Sequence, residues 1–152
     1  MIIMEKYRII DIIEDKKYKV FLSVAVKYSD AFSLTTFKSV HKKHLKDSYF
    51  ETLEFLLPYS VEDISEYSLP RHYEKGQKFH VYSLTSDSTQ VLGKTDGIYL
   101  WRLPDFPEDL CFYRHKKVWL STVSHEKLCF LHDIPQNVLS DFQKEGFTII
   151  QL

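Results

Sequence analysis

The residues best equipped for recognition are concentrated in Trp101-Arg102-Leu103-Pro104-Asp105-Phe106-Pro107-Glu108-Asp109. Two prolines fix backbone dihedrals here, and three carboxylates accompany one guanidinium within eight positions. Tryptophan and arginine are among the side chains most enriched at interface hot spots. The stretch reads as a stiff recognition loop between strands. In it Trp101 and Arg102 anchor a protein partner, while Asp105, Glu108 and Asp109 steer one with a basic surface. The opposing reading buries Trp101 and Phe106 in the core, the commoner role of large aromatics, and leaves the acids to solvate the surface.

A second set of candidates is the polar tetrad Ser124-His125-Glu126-Lys127. His125 and Glu126 are binding groups there, and with His132 and Asp133 they have the chemistry of metal ligands. Zinc needs three or four ligands converging on one point, whereas neighbouring strand residues face opposite ways. The pair of histidines that a zinc-protease helix requires is missing. A hairpin tip is also polar for reasons of solvation alone.

On a helix, His41 and His44 fall on one side, and His44, Asp47 and Glu51 form a candidate facial cluster. Lys42, Lys43, Lys46 and Arg71, with His72 nearby, form a candidate anion patch. Ordinary exposed ion pairing accounts for the same residues. Cys111, followed by His125 or His132 and then Asn137, has the chain order of some cysteine hydrolases. Leu110-Cys111-Phe112 nevertheless reads as a buried strand, where nothing populates a thiolate. The dinucleotide and phosphate loops, the nucleophile elbow and C-x-x-C are all absent, and four glycines leave little material for a phosphate cradle.

The elements that must position these groups are read from periodicity. Tyr7–Ile13 and Tyr18–Val26 suggest an opening β-hairpin; in the second, Tyr18, Val20, Leu22, Val24 and Val26 share one parity. Residues 28–40 fit either a helix or a strand. Leu45, Tyr49, Leu53, Leu56 and Leu57 mark a helix that Pro58 ends. Ser60 followed by two acids suggests a short helix to about Tyr67, and 68–76 reads as a loop. Strands are expected around 77–82 and 98–103. A meander follows through 110–113, 118–123 and 128–131, joined by two polar tetrads. Pro135 opens a helix that stops at Gly146, and 147–152 adds a last strand. If both tetrads are loops, Tyr113 faces Val118 and Val123 faces Leu128. Cys111 and Cys129 then share a face, a relation that slipping one register reverses, but they sit on strands flanking a third, beyond disulfide reach.

The expectation is one α+β domain over 1–152: a twisted, mostly antiparallel sheet with two main helices packed on one face. Its 152 residues carry 20 basic and 21 acidic side chains, a formal net charge of −1. That balance offers no concentrated basic surface for a nucleic-acid backbone, so nucleic acid is not the expected partner. No stretch approaches the length of a membrane span, and Met1-Ile2-Ile3-Met4 is too soon charged to act as a secretory leader. A cytoplasmic, reducing location is expected. The function read from these features is a small non-enzymatic module, of inhibitor or immunity type, that holds a protein partner and needs no cofactor. The alternatives are a small divalent-metal hydrolase and a binder of anions or nucleic acid.

Overall fold

A computed structural model describes residues 5–152. Met1–Met4, and with them the expectation about a leader, lie outside the described residues. The elements run β1 (Lys6–Ile9), α1 (Asp15–Lys27), β2 (Ala31–Phe37), α2 (Asp47–Leu56), β3 (Gln77–Ser83), β4 (Glu108–Arg114), β5 (Lys117–Val123), β6 (Leu128–His132), α3 (Gln136–Lys144) and β7 (Ile149–Gln151). The strands form one open antiparallel sheet in the order β3-β2-β4-β5-β6-β1-β7. Together they make the α+β domain with the C-terminal meander that the periodicity implies.

The helices α1 and α3 cover one face. Tyr18, Phe21, Val24 and Ala25 of α1 and Val138 and Phe142 of α3 pack with Phe32, Leu34, Phe112, Leu120 and Leu131 of the sheet. Aromatic rings join the layers: the Phe21 and Phe142 centroids lie 5.8 Å apart, and those of Phe142 and Phe147 5.6 Å apart. Burial of each such side chain stabilises the fold by about 1.5–3 kcal/mol.

The expected opening hairpin is not formed, because Tyr18–Val26 lies within α1. The period-2 pattern is real, but Phe21 and Ala25 are apolar as well. Tyr18, Phe21, Val24 and Ala25 therefore make an equally good helical stripe. Asp15 in the first turn and Lys27 in the last suit the helix dipole. Packing on the sheet overrides the strand preference of the valines.

Two smaller expectations also change. Residues 60–67 form no helix: Val61 N–H donates to Val81 O, and Val61, Ile64 and Tyr67 lie against the outer sheet face. Residues 98–103 are a 3-10 turn and loop instead of a strand. The ambiguous 28–40 segment yields the buried strand β2.

The meander register holds at both hairpins, with Tyr113 opposite Val118 and Val123 opposite Leu128. The first tetrad is tighter than a four-residue loop: Arg114 pairs with Lys117, and His115 and Lys116 take left-handed φ values of 50° and 67°. A bulge next to Tyr113 then shifts the pairing, so that Phe112 opposes Leu120. This shift separates the cysteines. Cys129 lies in the helix-covered core and Cys111 in the outer cluster, and both are free thiols.

Candidate functional site

The corner formed by residues 101–109 is built inward. Trp101 is 0% exposed; its indole N–H donates to Tyr18 Oη over 3.0 Å, and that hydroxyl donates to Leu92 O. Burial pushes the Tyr18 phenol up to about 12, so it keeps its proton and its role as a donor. Trp101 therefore does not present the outward anchor expected of it. The local chemistry explains why: a large aromatic beside Phe106, with a partner for its N–H, gains more from the core than from water.

The acids of this stretch do not form a common rim. Glu108 and Asp109 are each 4% exposed. Glu108 accepts from Leu103 N–H and lies 2.5 Å from His125 Nε2. Asp109 has a left-handed φ of 58°, accepts from Ser124 N–H at 2.8 Å, and pairs with Arg71 at 3.1 Å. Arg102, Asp105 and Glu126 stay exposed. The structure thus joins two sequence candidates, with the 108–109 carboxylates stapling the 124–126 turn. That is an architectural use of their charge.

The remaining candidates come apart. α2 begins at Asp47, so His44 precedes the helix and cannot share its face with Asp47 and Glu51. Among the described residues no three His, Cys, Asp or Glu side chains converge as metal ligands. Arg71 is engaged with Asp109, so its charge is already paired and not free for the expected anion patch. Burial pushes the Cys111 thiol up to about 12, leaving no nucleophilic thiolate near neutrality.

The open surface lies elsewhere. On the face opposite the helices, Val61, Ile64, Tyr67 and Tyr73 cover the β3-β2-β4 half of the sheet. The pairing of β5 with β6 covers only Leu120–Val123, because β6 ends at His132 and Asp133 turns away with a φ of 48°. No β6 residue therefore pairs with Lys117–Trp119. A groove of about 860 Å³ occupies this gap. Trp119, Ile134 and Val138 form its floor, and Tyr28, Leu69 and Val118 its more exposed walls. Trp119 is fixed by its N–H, which donates to Ser29 Oγ at 2.9 Å, and by the edge of Tyr28. Leu69 is 55% exposed, and Arg114, His115 and Lys117 stand on the rim together with one acid, Asp133, whose Oδ1 accepts from Glu5 N–H. Among the described residues, Arg114 and Lys117 have no carboxylate within salt-bridge distance, while His115 lies 3.9 Å from Asp30.

Beyond Pro70 and His132 the groove adjoins a smaller pocket of about 160 Å³. Ser121 Oγ and His132 Nε2 share a 2.8 Å hydrogen bond there. Burial, aided by Lys6, lowers the His132 pKa, and Asp133 opposes the shift. Among the described residues no carboxylate hydrogen-bonds this histidine, so the orienting third group of a hydrolytic triad is missing.

Sequence reasoning missed Tyr28, Leu69, Trp119 and the cationic rim as one surface. The available signal was Tyr113-Arg114-His115-Lys116-Lys117, an aromatic-basic run that ends two residues before Trp119. No family model, curated protein or solved structure matches this chain.

Proposed function

We propose that this protein is a non-catalytic protein-binding module that seats an acidic, apolar-anchored segment of its partner in the groove beside Trp119. The observation that carries the reading is the groove itself: apolar walls beneath a cationic rim. Its volume of about 860 Å³ accommodates several large side chains. The exposed walls recover hydrophobic free energy when covered, and the rim selects the sign of the partner. An inhibitor or immunity role is compatible with this mode, because blocking a partner requires surface complementarity and no chemistry. The partner's charge is opposite to that expected from the 101–109 stretch, whose acids are committed internally or dispersed.

Site-specific photocrosslinkers at Leu69 and Val118, with one at Asp105 for comparison, test the proposal in cells. The same protein should be captured from both groove positions. Its purified form should bind at least tenfold more weakly to Lys117→Glu, with an affinity that falls as salt rises. Leu69→Glu should abolish binding while changing folding stability by no more than ~0.5 kcal/mol. Capture from Asp105 with none from the groove, or affinity indifferent to both substitutions, would overturn the assignment.

A further inference from the structure

The small pocket next to the groove holds an uneven set of charges. Lys6 and Arg71 contribute two cations, and Asp109 contributes one anion. Asp109 already accepts from Ser124 N–H, and its contact with Arg71 Nη2 is close in distance but not aligned as a hydrogen bond. The Lys6 ammonium rests 4.3 Å from the centre of the Phe130 ring, a soft interaction that leaves its donors available. The Ser121 hydroxyl shares one hydrogen bond with His132. When His132 carries its proton on Nε2, Ser121 accepts from it and can turn its own proton toward a ligand. At about 160 Å³ the pocket is smaller than a typical cofactor site. It matches the space of about five water molecules, roughly one carboxylate-bearing side chain.

Resting on the groove as the partner's seat, we propose that this pocket receives a single carboxylate, from an acidic side chain of the docked segment. Lys6 and Ser121 meet its oxygens, and Arg71 supplies charge from the wall. A net excess of one cation suits a monoanion better than a phosphate dianion. The shared boundary at Pro70 and His132 places the carboxylate next to apolar residues lying over Trp119. The pocket therefore sets the register of the segment, whereas the Arg114 and Lys117 rim sets only its overall sign.

The test uses the full chain and three probes: 4-phenylbutyrate, its neutral amide, and inorganic phosphate, titrated while amide and indole resonances are followed. Phenylbutyrate should shift both the Trp119 indole and the Ser121 and Phe130 amides. The neutral amide should shift Trp119 alone and bind about tenfold more weakly, a difference of one screened charge contact. Lys6→Met should erase the gap between acid and amide, and Lys6→Arg should restore most of it. Lys6 is exposed, so these variants leave the core intact. Equal binding of acid and amide at Trp119 would overturn the carboxylate site and leave the groove standing. Phosphate shifting Ser121 as strongly as phenylbutyrate would overturn the monoanion assignment. Neither organic probe moving Trp119 would remove the groove, and the pocket's role with it.

Discussion

The two tryptophans show how similar chemistry is put to different ends. Each donates its indole N–H to a hydroxyl of α1 or of the residues just after it, Trp101 to Tyr18 and Trp119 to Ser29. Trp101 is enclosed on every side by the helix-covered core. Trp119 packs on Phe142 but keeps one side facing a groove that β6 leaves open. The difference lies in the strand around them: β5 is bulged at Trp119 and unpaired with β6 there, whereas the 98–103 segment folds back as a turn against α1. Whether an indole borders a groove or is sealed in the core is decided by where the neighbouring strand stops pairing, and its own chemistry does not decide between them.

The strongest way to break this contrast is to remove the buried ring. Trp101→Ala should cost about 3–5 kcal/mol, the range for deleting a large enclosed aromatic. Urea denaturation measures it, and the surviving folded protein should still bind through the groove. Unchanged stability with lost partner binding would reverse the roles of the two residues.

The carboxylate staple should give the next largest effect. His125→Ala leaves the Glu108 carboxylate, 4% exposed, with Leu103 N–H as its remaining partner. A buried acceptor that loses a partner costs about 1–3 kcal/mol. His125 is itself 61% exposed, so screening by water places the expected loss at the lower end. Groove binding should persist. A loss of binding without destabilisation would return function to the 108–126 corner.

Trp119→Phe is a finer test. It keeps an aromatic floor but removes the donor to Ser29, at a cost of about 1 kcal/mol. Its effect on groove affinity should exceed its effect on the denaturation midpoint, the reverse of the pattern at Trp101. Equal effects would make the two tryptophans equivalent core residues.

These contrasts mark what the sequence could and could not disclose. The meander was legible because Val118–Val123 and Leu128–Leu131 alternate between polar loops. α3 was legible because Pro135 and Gly146 bracket its apolar residues. α1 was not, since its broad apolar stripe satisfies periods of 2 and 3.6 together, and only the sheet beneath Phe21 and Ala25 chooses between them. The groove was hidden for a different reason. It depends on where β6 stops pairing, a long-range fact of register that no local spacing encodes. Glu108 and Asp109 were visible as acids, but their commitment to His125, Ser124 N–H and Arg71 requires contacts between separate strands and loops.

The smallest expected effect lies in the pH dependence at the pocket. Burial and the nearby Lys6 lower the His132 pKa in the folded chain, with Asp133 pulling the other way. The unfolded histidine titrates near 6.5. Above that value both states are neutral and the contribution is fully present. As pH falls below it, the unfolded chain takes up the proton first, so stability declines until the folded-state pKa is passed. His80, lowered by burial and Lys78, adds a slope of the same sign. His132→Gln should therefore make the loss of unfolding free energy between pH 7 and pH 5 shallower without abolishing it, and His80→Gln should remove a further part. Denaturation curves at several pH values measure both slopes. If the His132 variant keeps the full slope, the ring is better solvated than its place between Ser121 and Lys6 implies. In that case a carboxylate arriving in the pocket would displace water from an already hydrated site, and the advantage of acid over amide at Trp119 should shrink in proportion.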